Sequence, residues 1–322
     1  MSLPALHVNW TSPYRHGLER LGGLAGNGPY RLPAEEIVTS VHSALAWRRH
    51  HGGIGLATDS LGATYAKEQG LDALYDQVDT FLDELEDIDL DPLVYSTGAK
   101  IYAASRLSAP FAIVDTDLYL RRPLEIPAGA GFVFAHWEDL DPAVYPDVAE
   151  VPNRAGADLS RWTFDTPAAN MAISVFLDDE HRAAYARAGL EYAVGNAGLH
   201  EGGVHVRAVF AEQRLAPAVA RALGTDLRPV TERFWLGGRE AWDGPDHSGL
   251  FHHTWHLKAQ LRTFAELRPA YLRYLVEDLL WHFPEAEPLL LDTPDLAAHH
   301  DLVRLTAADL KAHGPTTLGA AR

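Results

Sequence analysis

The sequence predicts an α/β fold in which a mostly parallel central sheet is flanked by helices. Two observations support this prediction. Short apolar segments alternate with helical ones over residues 6–118, which is the order of parallel strands joined by crossover helices. The segment Phe111–Val114 is apolar at every position, as in a strand that is covered on both faces. In sheets of this kind, ligands bind beyond the carboxyl ends of the strands.

The first elements follow from apolar runs and their stop signals. Residues 6–10 are predicted as the first strand, and a glycine-rich loop at 22–28 follows it. A helix over 35–50 begins with two acidic residues and ends before a pair of glycines. Residues 54–58 are predicted as the second strand. The next helix, over 60–69, ends at a glycine, as helices commonly do.

The centre of the chain continues this alternation. Residues 76–92 carry many carboxylates and are predicted as a solvated surface with one short strand. A helix over 99–107 precedes the apolar strand at 111–114, and residues 131–135 are predicted as another buried strand. A long proline-containing loop then leads to a strand within 168–176.

The last third of the chain is predicted to be mainly helical. Helical composition covers residues 180–194, 204–223 and 261–283. The tail is predicted to remain helical as far as His313. No internal repeat and no low-complexity tract interrupts the sequence.

Composition limits the possible function classes. The 322 residues include 27 Lys and Arg against 44 Asp and Glu, a formal charge of −17. This acidic balance argues against a nucleic-acid binder or a protein of anionic membrane surfaces. The absence of cysteine excludes a disulfide framework, a cysteine-ligated zinc site and a thiol nucleophile. Neither a signal peptide nor an apolar run of membrane-spanning length is evident, so we expect a cytoplasmic protein.

Two carboxylates, Asp115 and Asp117, stand at the carboxyl end of the apolar strand. The two-residue period of an extended chain places both on one side. Carboxylates so close together repel, and a divalent cation relieves that repulsion. Oxygen ligands suit Mg²⁺ or Mn²⁺, which commonly join carboxylates to substrate phosphates. The simpler alternative is a strand end followed by an Asp turn and an Asp cap.

Three histidines and a lysine stand close together late in the chain, at His252, His253, His256 and Lys258. Imidazole can complete a Mn²⁺ site, and an ammonium can hold a phosphate as a point charge. The spacing to Lys258 leaves His252 and His253 as the candidate metal ligands. In an extended segment, His253 shares a face with the apolar Phe251, which favours His253. The alternative is a histidine-rich surface turn before a helix.

These residues resemble the motifs of metal-dependent GT-A glycosyltransferases, in particular the glycogenin-like branch. The strand end Asp115-Thr116-Asp117 is similar to the Asp-x-Asp motif of that family. The late histidines His252 and His253, with Lys258, are similar to its His…Lys motif, in which the histidine binds the metal and the lysine contacts the diphosphate.

Four further segments agree with this resemblance in the order of their signals. Thr58-Asp59 ends the second strand, and the segment ending at Lys100 opens the helix before the Asp-x-Asp strand. Asn170 resembles the asparagine that touches the donor sugar in the glycogenin-like branch. The pair Glu212-Gln213 resembles that branch's acidic-Gln pair.

The resemblance implies a domain organisation. It implies a GT-A type, Rossmann-like domain over residues 1–283, with a nucleotide-binding half at about 1–125 and an acceptor-side half at about 126–283. Residues 284–322 are then a C-terminal helical extension and tail.

It also implies an activity and a set of site residues. The protein would move a sugar from a nucleoside-diphosphate sugar, expected to be a UDP-sugar, with Mn²⁺ or Mg²⁺ and with retention of configuration. The acceptor stays open among glycans, peptides and small molecules, as does the oligomeric state. The implied metal ligands are Asp115, Asp117 and His253 or His252. The implied catalytic residues are Asp115, Asp117, Glu212 and Gln213. The implied donor-binding residues are Asn9, Trp10, Thr11, Thr58, Asp59, Lys100, Asp115, Asn170 and Lys258.

The sequence departs from the family pattern at three places. Trp255 stands where glycine is usual, Glu212 stands where Asp is usual, and Asn170 is followed by Met171-Ala172 rather than by Thr-Gly. These departures leave a second hypothesis open, a degenerate GT-A domain that binds a nucleotide or a partner without turnover.

Two features of the loops are candidates for substrate contact. The glycine-rich segment at 22–28 is a candidate lid over the donor. Aromatic side chains in the second half either stack on a sugar or an acceptor or fill the core, and core filling is the more common role for any one of them. These aromatic residues are Trp162, Phe164, Phe234, Trp235, Trp242 and Trp255.

Overall fold

The computed structural model describes residues 2–20, 29–154, 156–196, 204–233 and 249–315. Within these ranges the chain forms nine strands and eleven α-helices, joined in places by 3₁₀ turns. The strands are β1 (Ala5–Asn9), β2 (Ile54–Thr58), β3 (Val78–Asp79), β4 (Phe111–Val114), β5 (Leu118–Leu120), β6 (Phe132–Trp137), β7 (Ile173–Phe176), β8 (Leu227–Arg233) and β9 (Phe251–His253).

The helices alternate with these strands in the first half and dominate the C-terminal part of the chain. They are α1 (Ser12–Arg20), α2 (Ala34–His50), α3 (Ser60–Glu68), α4 (Gly98–Arg106), α5 (Asp179–Gly195), α6 (Val204–Val209), α7 (Leu215–Leu223), α8 (Trp255–Thr263), α9 (Arg268–His282), α10 (Glu287–Asp292) and α11 (His300–His313). None of the described helices is long and apolar enough to span a membrane.

Seven strands form the central sheet in the order β3-β2-β1-β4-β7-β6-β8. The pairs β3–β2, β2–β1, β1–β4 and β6–β8 are parallel. Strand β7 runs antiparallel to both of its neighbours, β4 and β6. Strands β5 and β9 form a separate antiparallel ribbon. The predicted fold class, a mostly parallel sheet flanked by helices, is confirmed.

Helices cover both faces of the sheet, which explains why β4 is apolar throughout. Phe111 and Ile113 belong to an apolar cluster that includes buried residues of α4, α5 and α7. Ala112 and Val114 belong to the cluster on the other face, with α2, α9 and α11. Burial of both faces of this strand therefore stabilises the fold, and the gain is roughly 25 cal/mol per Å² of buried apolar surface.

The C-terminal helices pack onto the same apolar cluster as the sheet. Leu290 of α10 and Val303 of α11 are buried in the cluster that contains α2 and α9. Polar contacts add to this packing, because the Tyr65 hydroxyl donates to Asp295 Oδ2 at 2.9 Å. The backbone N–H of Asp295 donates to Gln69 Oε1 at 2.8 Å. The tail is helical to His313, as predicted.

Three of the predicted segments differ from the prediction in their extent or regularity. The strand within 168–176 covers only Ile173–Phe176, and Ala169 makes an isolated bridge to Trp137. The helix predicted over 204–223 contains a π-helical turn at Phe210–Arg214. The helix predicted over 261–283 is two helices, because Pro269 lacks an N–H and occupies the first turn of α9.

Candidate functional site

Three metal-ligating side chains converge at the carboxyl end of β4. They are Asp115, Asp117 and His253, and one ligand atom of each lies within 4.8 Å of the others. The Nε2 atom of His253 lies 3.5 Å from Oδ1 of Asp117. Two carboxylates and one imidazole are a donor set that suits Mn²⁺ or Mg²⁺. The residues present therefore fit the metal that the sequence resemblance implies.

The ribbon of β5 and β9 brings the histidine to the carboxylates. Its register pairs Leu118 with His253, and the backbone N–H of Thr254 donates to the Asp117 carbonyl at 2.9 Å. The neighbouring His252 points elsewhere, since its Nε2 lies 2.8 Å from the Tyr271 hydroxyl on α9. The structure thus places His253, rather than His252, beside the carboxylates. The side chain of the third histidine of the motif lies outside the described residues.

Lys258 lies on the other side of Asp117. Its Nζ is 3.0 Å from Asp117 Oδ2 and 3.3 Å from Glu36 Oε1. Burial disfavours the charged form of Asp117, but the charges of Lys258 and His253 outweigh it and hold the pKa of Asp117 well below its usual range. Burial likewise opposes the charge of Lys258, yet Asp117 and Glu36 raise its pKa above the ordinary value. The lysine is therefore a fixed positive charge next to the metal ligands.

A second lysine, Lys100 on α4, joins the metal group to the acidic-Gln pair. Its Nζ lies 2.7 Å from Asp115 Oδ1 and 2.6 Å from Glu212 Oε1. Burial lowers the pKa of Lys100, but the two carboxylates raise it further, so the net pKa is above the ordinary value. For Glu212 burial raises the pKa, and the attraction of Lys100 offsets this only in part.

The π-helical turn carries both members of the acidic-Gln pair. Glu212 is buried, with only 2% of its surface exposed. The amide oxygen of Gln213 accepts a hydrogen bond from the Tyr145 hydroxyl at 2.5 Å, and its carbonyl accepts one from the N–H of Ala169 at 2.9 Å. These bonds fix the turn against the segment that precedes β7.

Asn170 is held at both ends of its amide. Its Nδ2 donates to Glu138 Oε1 at 2.7 Å, and its Oδ1 accepts from the N–H of Ala172 at 3.0 Å. The carbonyl of Ala172 in turn accepts from the N–H of Asp115 at 2.8 Å. The departure from the usual Thr-Gly sequence therefore still leaves this asparagine tied to the metal-binding strand end.

These side chains surround a cavity of about 710 Å³. Seven candidate residues from the sequence line it, namely Lys100, Asp115, Asn170, Glu212, Gln213, His253 and Trp255. Five that sequence reasoning missed also line it, namely Trp137, Glu138, Asp139, Asp141 and Tyr145. Their signal was positional: Trp137 ends the buried strand β6 and the others follow it, and the carboxyl end of β6 faces the same edge of the sheet as that of β4.

The candidate donor-binding residues of β1 and β2 bond to one another. The N–H and hydroxyl of Thr11 donate to Asp59 Oδ2 at 2.9 Å and 2.7 Å. The other oxygen of Asp59 accepts from the N–H of Gly62 at 2.8 Å and caps α3. The Thr58 hydroxyl donates to the Asn9 carbonyl at 2.6 Å. These polar groups hold the strand ends together, and they do not line the large cavity.

The aromatic candidates fall into two groups. Trp162 and Phe164 are partly buried against the apolar cluster of α4, α5 and α7, while 56% of the Trp255 surface is exposed. Trp10 is half-buried, and its Nε1 has no hydrogen-bond partner among the described residues. The remaining candidates, Phe234, Trp235 and Trp242, lie outside the described residues, as does the glycine-rich loop at 22–28.

Comparisons with known proteins give distant similarities. No protein-family model matches the sequence, and no curated protein matches it either. One similar solved structure is the apo form of mouse xyloside xylosyltransferase 1, with 12% identity and a TM-score of 0.37, covering 71% of this chain and 85% of that one. Another is PaToxG glycosyltransferase, with 10% identity and a TM-score of 0.31, covering 70% of this chain and 79% of that one.

Proposed function

We propose that this chain is a metal-dependent glycosyltransferase of GT-A type. It transfers a sugar from a nucleoside-diphosphate sugar, expected to be a UDP-sugar, to an acceptor, with retention of configuration as the sequence resemblance implies. The observation that supports this best is the convergence of Asp115, Asp117 and His253 beside a cavity of about 710 Å³. The group lies at the carboxyl end of a strand in the mostly parallel sheet, where ligands of such folds bind.

The metal-binding residues and Lys258 form the diphosphate side of the proposed site. Asp115, Asp117 and His253 would hold Mn²⁺ or Mg²⁺. When bound, that ion supplies positive charge that stabilises a departing diphosphate. Lys258 is already charged and lies 3.3 Å from Glu36 Oε1. A phosphate oxygen can replace the Glu36 carboxylate as the partner of Lys258, because an ammonium pairs with either anion as a point charge.

The residues that line the cavity form the sugar side. Lys100 joins Asp115 to Glu212, so the strand end and the π-helical turn keep a fixed separation. Asn170 and Gln213 are each held by hydrogen bonds to protein groups. Such a preorganised set of donors and acceptors is suited to orienting the hydroxyl groups of a sugar.

A thermal-shift panel tests the proposal. The intact chain is heated with UDP, GDP, ADP and CDP, and with sugar nucleotides, each with and without Mn²⁺. We expect one nucleoside diphosphate to raise the unfolding temperature much more with Mn²⁺ than without it. A ligand at about 100 times its Kd adds about 2.7 kcal/mol to the free energy of unfolding. Absence of any Mn²⁺-dependent shift contradicts the proposal.

Slow hydrolysis of the bound sugar nucleotide then separates an enzyme from a binder. A glycosyltransferase is expected to release the sugar to water slowly when no acceptor is present. A degenerate domain would show the Mn²⁺-dependent shift but no release of sugar, and that result would favour the second hypothesis. Asp301→Asn is the matched control for substitution of a proposed metal-binding aspartate, because the Asp301 carboxylate lies on α11 and is almost fully exposed.

A further inference from the structure

Trp255 presents a large aromatic face to the cavity. It is the first residue of α8, and it lines the cavity together with His253. Its surface is 56% exposed, and among the strongly exposed large apolar side chains that the structure describes it alone lines this cavity. An indole in this position offers a flat apolar surface that a ligand can cover, with a gain from both burial and ring stacking.

A fixed carboxylate accompanies this aromatic surface. Glu138 follows β6 and lines the same cavity, and its Oε1 accepts the Asn170 amide at 2.7 Å. Among the described residues, the Asn170 amide is the hydrogen-bond donor to the Glu138 carboxylate. The second carboxylate oxygen of Glu138 can therefore accept a hydrogen bond from a ligand. The adjoining Trp137 is held by an edge contact with Phe134, at 4.4 Å between ring centroids. The lining after β6 is therefore rigid and able to accept hydrogen bonds.

The charges of the lining near Glu138 disfavour an anionic acceptor. Lys100 is the one lysine or arginine among the described residues that line the cavity, and two carboxylates already hold it. Glu138, Asp139 and Asp141 have no lysine or arginine within ion-pair distance in the described ranges. A phosphate, sulfate or uronate group in this part of the cavity would face uncompensated negative charge.

The position of Trp255 also disfavours a cationic ligand. Its ring lies 6.3 Å from the ring of His253, at an interplanar angle of 30°. The carboxylates of the lining would attract a cation, but a cation stacked on this indole would lie close to the divalent ion that His253 would help to hold, and the two positive charges would repel each other. A neutral ligand with an apolar face and many hydroxyl groups meets neither repulsion.

We infer that Trp255 and Glu138 form the acceptor subsite and that the acceptor is a neutral carbohydrate. One face of its ring lies on the Trp255 indole, and its hydroxyl groups donate to Glu138. This inference rests on the proposed glycosyltransferase function. In the transfer, the acceptor hydroxyl oxygen bonds to the anomeric carbon while that carbon's bond to the diphosphate oxygen breaks. The hydroxyl proton passes to the departing diphosphate.

Saturation-transfer NMR on the full chain with UDP and Mn²⁺ tests the subsite. The probes are methyl glycosides of neutral hexoses and pentoses, with the matched methyl glycosides of uronic acids and amino sugars. We expect signal from neutral glycosides, and binding about tenfold weaker in Trp255→Ala, a loss of about 1.4 kcal/mol. Trp255→Phe retains most of the binding. Trp281→Ala, which removes a 40% exposed indole from α9, leaves it unchanged.

A second variant tests the role of the carboxylate. Glu138→Gln keeps an oxygen for the Asn170 amide but removes the charge, so the uronic acid glycosides are expected to bind more tightly than they bind the unaltered chain. Preference of the unaltered chain for the uronic acids or the amino sugars overturns the inference. So does a Trp255→Ala variant that loses Mn²⁺–UDP affinity and keeps its affinity for glycosides, because the indole would then serve the donor side.

Different results contradict the acceptor inference and the proposed function. If UDP binds with Mn²⁺ but no glycoside of any charge gives a signal, the acceptor inference is wrong and the proposed function stands. If none of the nucleoside diphosphates binds with Mn²⁺, the proposed function fails, and the acceptor inference fails with it.

Discussion

Lys258 and His253 hold opposite oxygens of the same carboxylate, that of Asp117. The lysine Nζ lies 3.0 Å from Oδ2, and the histidine Nε2 lies 3.5 Å from Oδ1. The carboxylate is therefore held in one orientation by two groups that come from β9 and α8, far along the chain from β4. The proposed metal ion at Asp117 would compete with the lysine for this carboxylate, and a lysine displaced in this way would be free to bind a phosphate.

Replacing Asp117 by Asn tests whether the charge of this carboxylate serves the metal. We expect the Asp117→Asn chain to fold, since Lys258 keeps its contact with Glu36. Transfer or donor hydrolysis should fall by about 10²–10³-fold, the range seen when a group that stabilises developing charge is removed. The Mn²⁺-dependent shift with the nucleoside diphosphate should disappear. A well-folded variant that works at the normal rate would remove the metal hypothesis.

The two neighbouring histidines of β9 are expected to behave differently. His253→Ala should abolish most of the Mn²⁺ effect on nucleotide binding with little change in metal-free binding. His252→Ala removes one partner of the buried Tyr271 hydroxyl, 2.8 Å away, and leaves the Thr254 hydroxyl at 3.0 Å, so it should lower the free energy of unfolding by about 0.5–1.5 kcal/mol. Isothermal titration with Mn²⁺ and denaturant unfolding measure the two effects. Equal, small effects in both variants would mean that neither histidine is a ligand.

The sequence predicted those parts of the fold that depend on local pattern. The strands β1, β2 and β4 are apolar runs bounded by clear stop signals, so their positions followed from composition alone. Strand β8, Leu227–Arg233, was missed because it is an edge strand with a polar sequence. The short ribbon strands β5 and β9 form only through mutual pairing, which no local pattern shows.

The same contrast between local pattern and distant contacts applies to the candidate site. The two aspartates, Asp115 and Asp117, are visible as a pair because they stand two residues apart after a buried strand. Glu138 carries only the positional signal of following β6, because its contact within the site is with the distant Asn170. The burial of Glu212 carries no local signal, since a Glu-Gln pair on a helix usually faces solvent. Its burial follows from the π-helical turn and the ion pair with Lys100.

The pair of His282 and Asp278 predicts a pH dependence of stability. The hydrogen bond that His282 Nδ1 donates to Asp278 Oδ1, 3.2 Å away, raises the pKa of His282 above its ordinary value of 6.5, although burial partly opposes the shift. The folded chain then binds the proton more tightly than the unfolded chain. The stability that protonated His282 contributes is complete below its pKa in the unfolded chain and is lost as the pH rises through its pKa in the folded chain.

Thermal unfolding at about pH 6 and about pH 8 measures this contribution. His282→Gln should lower the unfolding temperature more at about pH 6 than at about pH 8, because only the lower pH holds the protonated pair. The effect should be small, because more than a third of the side chain is exposed and solvent screens the pair. A variant that loses more stability at about pH 8 than at about pH 6 would contradict the sign of the shift.

The last prediction concerns the C-terminal helices, which carry no residue of the candidate site. Leu290 of α10 is fully buried in the apolar cluster that also contains α2 and α9. Leu290→Ala leaves a cavity there and should lower the free energy of unfolding by about 2–5 kcal/mol. The matched control is Leu305→Ala on α11, because that side chain is 65% exposed and its loss should change stability by less than about 0.5 kcal/mol. Below the unfolding transition, both variants should bind the nucleoside diphosphate and Mn²⁺ with unchanged affinity. A large loss of affinity in a still-folded Leu290→Ala chain would show that these helices act on the donor site.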